Sequence, residues 1–331
     1  MKNHLVFLAS ASLLALTGCA ALSGEAAPRE PVTVEVPPPA PETVVEVEKA
    51  VEVIVVVEPT HAERLQAVLD AQPDEVKARY DARHPAETLD FFEVEPGEVV
   101  VEALPGGGWY SKILIAYLGP EGRLVGAQYP DDMWLKILPN LSEEGLAKRQ
   151  ADSAGWIDQA REWVGEDGSK VMSYYMTEME DGHEGHVDTA LFIRALHNMN
   201  RADEDLSTIK ATLAETYTLL KPGGVVGVVQ HRAKDSNSEA SANGSHGYLK
   251  QSHVIALFEE AGFVLEATSE INANPRDTAG EDDYVWRLPP TLARTEEGTP
   301  ERAAMEAIGE SDRMTLKFRK PVAEAGEANA G

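Results

Sequence analysis

The 331-residue chain has a single cysteine, Cys19, so no disulfide can form within it and its stability must come from a packed core. It also lacks a terminal apolar run long enough to cross a bilayer comfortably. Residues 5–16 are apolar but short and follow Lys2, the pattern of an export signal rather than a transmembrane helix. Basic residues are few, 29 against 56 acidic, giving a formal charge of −27. A surface of that sign repels nucleic-acid phosphates and anionic lipid headgroups, which argues against both as partners. The acid is spread along the chain and reads as a solubilising surface. Residues 20–60 lack aromatics and are rich in Pro, Val and Glu, a composition that favours an extended tether. The apolar run 51–57 leaves an edge strand as the alternative.

After the tether, the pattern alternates between short β-branched runs and helical periodicity. Residues 61–80 and 85–92 read as short amphipathic helices. The run Val99-Val100-Val101-Glu102 is followed by the turn Leu104-Pro105-Gly106-Gly107-Gly108, by Trp109-Tyr110 and by an apolar helical run to Leu118, a strand–turn–helix unit. Such a turn leaves backbone N–H groups and a helix N-terminus free to face a ligand. Further strands are expected at 123–128, 170–175, 187–193, 225–230, 263–271 and 314–319, with helical stretches over 131–165, 205–220 and 248–261. The expected fold is therefore α/β: a doubly wound, mostly parallel, seven-stranded sheet with an antiparallel last strand, filling residues 61–321 and followed by a disordered tail, 322–331.

Two resemblances sharpen this reading. Leu16-Thr17-Gly18-Cys19 resembles the lipobox of bacterial lipoproteins. The resemblance implies a signal peptide over 1–18, a lipid anchor on Cys19 and, because Ala20 rather than Asp follows, an outer-membrane address facing the periplasm. An ordinary cleaved signal with a chance cysteine is the alternative. The folded region resembles the class I S-adenosylmethionine-dependent methyltransferases, a Rossmann-like family. Its acidic-x-Gly-x-Gly-x-Gly motif is met by Glu102 to Gly108 with Leu104 at the first glycine position, and Leu-Lys-Pro-Gly-Gly by residues 220–224. One group of exported, uncharacterised members is more similar still. The shared motifs are Pro-Gly-Gly-Gly-Trp-Tyr at 105–110, His197-Asn198, Gln230-His231, Glu-Ile-Asn-Ala-Asn-Pro at 270–275 and Gly-Glu-Ser-Asp-Arg-Met at 309–314.

The resemblance implies S-adenosylmethionine against Glu102, Leu104, Pro105, Gly106, Gly107, Gly108, Trp109, Tyr110, Gln128 and Tyr129. Gln128 stands where many members carry an acid for the ribose hydroxyls, and a neutral amide forgoes the charge-assisted bond. His197, Asn198 and His231 fall after the fourth and fifth strands, at the carboxyl edge where doubly wound folds bind substrates. Imidazole ordinarily titrates near neutral pH, so the two histidines are candidates to position a nucleophile or take its proton. Asn272, Asn274, Asp277, Trp286 and Arg287 lie in a long loop that suits a lid. The expected partner is a small-molecule substrate. A non-catalytic binding module on the same fold is the alternative, favoured by Leu104, Gln128 and the export signal. A metal-dependent hydrolase built on Asp181, His183, Glu184, His186 and Asp188 is a further one, although the spacing is not a strong zinc pattern and no metal is expected.

Overall fold

The computed structural model describes residues 59–178 and 183–322. The expected signal peptide, Cys19, nearly all of the tether, Asp181 and the tail beyond Val322 lie outside the described residues. Four helices lead in: α1 (His61–Asp70), α2 (Asp74–Lys77), α3 (Tyr80–Arg83) and α4 (Pro85–Phe91). Thr60 starts α1 with a capping box, its hydroxyl accepting from the Glu63 N–H at 3.2 Å while its own N–H donates to the Glu63 carboxylate at 2.9 Å. The alternating part follows as β1 (Val99–Ala103), α5 (Trp109–Leu118), β2 (Arg123–Gln128), α6 (Met133–Ile137), α7 (Glu143–Trp163), β3 (Lys170–Tyr175) and β4 (Val187–Ile193). Next come α8 (Leu196–Asn200), α9 (Ser207–Leu219), β5 (Leu220–Ala233), β6 (Leu249–Lys250), α10 (Gln251–Glu260), β7 (Val264–Ser269), α11 (Pro300–Ile308) and β8 (Arg313–Arg319).

The strands order as β3-β2-β1-β4-β5-β8-β7. Neighbours from β3 to β5 are parallel, and β8 runs antiparallel between β5 and β7. This is the expected doubly wound sheet with its last strand reversed. Three elements were not expected: the helices α8 and α11, and the two-residue β6, which pairs with the end of β5 off the main path. The strand over 225–230 also begins earlier, because Leu220 already pairs with Val187 before residues 221–224 loop out and pairing resumes at Thr189 with Val225. The helical stretch 131–165 is broken into α6 and α7 around Pro139, as a ring without an N–H requires.

Side-chain alternation splits the core between the two faces of the sheet. Val100, Leu124, Leu191 and Val229 pack with α1, α4, α5 and α7, while Val101, Val125, Phe192 and Val228 pack with α6 and α8 to α10. Gly126 on β2 is part of this fit. A Cβ there would lie 2.5 Å from the indole of buried Trp156. Gly126→Ala is expected to destabilise the fold by about 1–3 kcal/mol through overpacking, read as a lower urea midpoint at an unchanged slope. Chain order reverses between β1 and β4, so a cleft opens at the carboxyl ends of the strands beside that pair.

Candidate functional site

The turn after β1 is shaped by its backbone. Leu104 has φ +52, Gly106 +54 and Gly108 +72. Leu104 thus holds a left-handed conformation, at a cost in backbone strain that a glycine there would not carry. The closed side of the turn is packed: a Cβ on Gly108 would fall 2.2 Å from the Trp163 ring. Its other side is open. A Cβ on Gly107 would meet nothing within 4 Å, and one on Gly106 only the Leu104 carbonyl at 3.9 Å. Gly106 and Gly107 line two cavities, one of about 320 Å³ reaching over β2 and one of about 490 Å³ reaching over β1, β4 and β5.

The smaller cavity holds Gln128 and Tyr129 at the end of β2, with Trp134 from α6 and Ser153 and Trp156 from α7. Tyr129 stacks on Trp134 at 4.0 Å between ring centres. Gln128 is buried, and its Nε2 donor has no hydrogen-bond partner; the same is true of the indole N–H groups of Trp134 and Trp156. Buried donors are nearly always satisfied, so three orphans on side chains that line one cavity set it apart.

The larger cleft contains the expected acid and both histidines. Glu102 is buried and accepts a hydrogen bond from Ser111 Oγ at 2.6 Å. Burial pushes its carboxyl up to about 7, against the opposing pull of the Ser111 bond and the Arg194 charge. The rings of His197 and His231 lie 5.4 Å apart between centres. His197 Nδ1 lies 3.4 Å from Gln230 Oε1, an acceptor that suits the tautomer with its proton on Nδ1 and a lone pair on Nε2. His231 Nδ1 lies 2.6 Å from Ser311 Oγ. The expectation that these imidazoles titrate near neutrality is not met. Burial, followed by the Arg201 charge, lowers His197 to about 3, and burial, followed by the His197 charge, holds His231 well below its ordinary value.

Both histidines are therefore neutral at physiological pH, with a consequence for stability. A base whose folded pKa is depressed binds its proton more readily in the unfolded chain, so folding loses stability as pH drops from about 6.5 toward about 3. Glu98 and Glu102, both raised to about 7, act in the opposite sense between about 4.5 and 7. His197→Gln is expected to remove roughly 2–3 kcal/mol of the loss between pH 6.5 and pH 4, a flattening of the acid limb measurable by denaturant titration at each pH.

Other expected residues are placed differently. Asn198 does not line the cleft; it ties Tyr129 to Arg201 by bonds of 2.9 and 2.8 Å. Of the lid residues only Trp286 lines it, edge-on to His197 at 5.9 Å. Asn272 donates to Thr88 and Thr315, Asn274 donates to the carbonyls of Ile308 and Glu310, and Arg287 donates to Asp277 and Tyr248. These four hold the loop in shape. His183 and His186 line a separate small cavity at the opposite, amino-terminal edge of the strands. Among the described residues no group of three or more His, Cys, Asp or Glu is placed to hold a metal ion.

Several cleft residues have no forerunner among the candidates read from the sequence: Arg79, Arg83, Arg194, Glu310 and Ser311. The only sequence signal near any of them is the Gly-Glu-Ser-Asp-Arg-Met motif that contains the last two.

No protein-family model matches this chain. Ribosomal RNA small subunit methyltransferase H of Flavobacterium psychrophilum is 41% identical over 54 residues, which is 16% of this chain and 19% of that protein. The chain thus spans about a fifth of the length of that curated relative. Among solved structures, a SAM-dependent methyltransferase from Aquifex aeolicus is 13% identical with a TM-score of 0.43, covering 75% of this chain and 98% of its own. Geranyl diphosphate C-methyltransferase from Streptomyces coelicolor A3(2) is 15% identical with a TM-score of 0.46, covering 77% and 87%. At these values the two structures are similar in overall architecture only.

Proposed function

We propose that the chain is an S-adenosylmethionine-dependent methyltransferase acting on a small molecule in the cell envelope. The observation that carries this reading is the open Gly106–Gly107 turn shared by two cavities, with the unpartnered Gln128 amide in one and the histidine pair in the other. The residues present fit the cofactor. The bare turn and the N-terminus of α5 suit its carboxylate end, while Gln128 Nε2 and the Tyr129–Trp134 stack suit its sugar and base. When bound, this cofactor supplies a methyl group on a sulfonium, already activated for attack.

The chain's own part is alignment and proton handling. The walls of the cleft hold the acceptor still, and positioning alone lowers such barriers by several kcal/mol, up to roughly 7–11. His197 Nε2, kept unprotonated, is free to receive the acceptor's proton. Formal charge −27 favours a small molecule over RNA as acceptor. The lipobox-like Leu16-Thr17-Gly18-Cys19 supports an outer-membrane anchor, so Cys19→Ser is expected to abolish incorporation of labelled palmitate into the full chain. For the enzyme, the test is tryptophan fluorescence of the full chain during titration with S-adenosylhomocysteine. Trp134 and Trp156 should report saturable binding, weakened about tenfold in Gln128→Ala by loss of one hydrogen bond. An emission spectrum unmoved at millimolar ligand would sink the reading.

A second reading, binding without catalysis, draws on one observation: a buried imidazole lowered to about 3 is a weak proton acceptor. It predicts a His197→Ala, His231→Ala strain indistinguishable from wild type, whereas the enzyme reading predicts the phenotype of full deletion.

A further inference from the structure

The larger cleft carries more positive charge than its own acids balance. Arg79 and Arg83 bracket α3 and Arg194 directly follows β4; all three line the cleft, while Arg313 of β8 does not line it but shares their acid. One carboxylate, Glu310, serves three of them: it accepts from Arg79 Nε at 2.7 Å, from Arg313 Nη2 at 2.6 Å and, more loosely, from Arg83 Nε at 3.4 Å. Glu102 is turned toward Ser111 instead. Arg194 makes no side-chain hydrogen bond or ion pair among the described residues, and Nη1 of Arg83 is buried without a partner. Burial lowers Arg83 to about 9 and Arg194 to about 10, with neighbouring arginines adding to the effect in both.

Buried charges in proteins are paired, and leaving one unpaired is costly. Among the described residues Arg194 has no such partner and Arg83 has one only at Nε, and both side chains are held in place. Arg83 lies over the Trp109 ring at 4.4 Å and donates loosely from Nε to Glu310 at 3.4 Å, two contacts that orient its guanidinium. Arg194 projects from a residue with φ +58, beside the reversal in strand order. Both line the same space as His197 and His231.

We infer that this cleft seats the oxyanion of a small acceptor, a carboxylate or phosphate group bound by Arg83 Nη1 and the Arg194 guanidinium. The inference rests on the methyltransferase reading only in naming the ligand an acceptor. A bound anion would also ease the charge on His197 when it takes a proton, joining recognition to proton transfer.

The test is thermal unfolding of the full chain with inorganic phosphate or acetate against sodium chloride at matched ionic strength, with and without saturating S-adenosylhomocysteine. We expect phosphate or acetate to raise the midpoint by about 3 °C or more at concentrations well above Kd, and to do so with the cofactor product present. Arg194→Gln, which breaks no hydrogen bond, should weaken this binding roughly tenfold or more, and Arg194→Lys should restore part of it. No gain over chloride, or a gain unchanged in Arg194→Gln, overturns the inference. A gain erased by S-adenosylhomocysteine also overturns it, since the seat then belongs to the cofactor's own carboxylate. If phosphate stabilises while S-adenosylhomocysteine does not, the methyltransferase reading fails and the oxyanion seat stands.

Discussion

Glu310→Ala should cost about 3–5 kcal/mol of unfolding free energy, the range for removing one partner of a buried ion pair. Its carboxylate is the shared acceptor for Arg79, Arg83 and Arg313, of which Arg83 and Arg313 are almost wholly buried. Without it, three guanidiniums face one another in a space whose remaining acid, Glu102, holds its proton up to about pH 7. An exposed pair such as Lys148–Asp152 sets the contrast: Asp152→Ala should change stability by less than about 1 kcal/mol. Urea unfolding of both variants measures the difference. Phosphate added to Glu310→Ala should return part of the loss, because it supplies the missing negative charge. A Glu310→Ala protein within 1 kcal/mol of wild type would show that the arginines are balanced by something else.

The second large effect concerns the turn. Gly107→Leu should leave the fold nearly untouched, within about 0.5 kcal/mol, because the added side chain enters empty space and the backbone there is not left-handed. The same side chain would occupy the approach to the turn that a nucleotide-like cofactor needs. Affinity for S-adenosylhomocysteine should then fall about 100-fold, the upper range of an overpacking penalty of 1–3 kcal/mol. Gly106 is a poorer position for this test, since its φ of +54 would add strain to any side chain. A Gly107→Leu protein that binds as wild type does would place the cofactor elsewhere.

The sheet was legible because each strand carries its own signal. The β-branched run before Glu102 and the apolar run after Gly224 are local patterns, and their alternation with helices implies parallel order. The site was legible only where it is built from strand ends. Glu102, Gln128, His197 and His231 sit at the carboxyl edge because β1, β2, β4 and β5 end there. Asn198 was grouped with His197 as its neighbour, but α8 turns successive side chains about 100° apart, and Asn198 leaves the cleft for Tyr129. The polar residues of the long loop suggested ligand contacts, yet Asn274 and Arg287 satisfy backbone carbonyls that no regular ladder pairs, and Asn272 ties the hydroxyls of Thr88 and Thr315. The arginine cluster could not be read at all. Arg79 and Arg83 lie at four-residue helices too short to show a period, and they meet Glu310 only after most of the domain has folded between them.

On the proposed reading, the Gly106–Gly107 turn seats S-adenosylmethionine between the two cavities. Calorimetric titration of the full chain with S-adenosylhomocysteine tests it most directly, run side by side on wild type and Gly107→Leu. One molecule should bind per chain in wild type, with affinity lower by about two orders of magnitude in the variant. No heat of binding in wild type at millimolar ligand would contradict it.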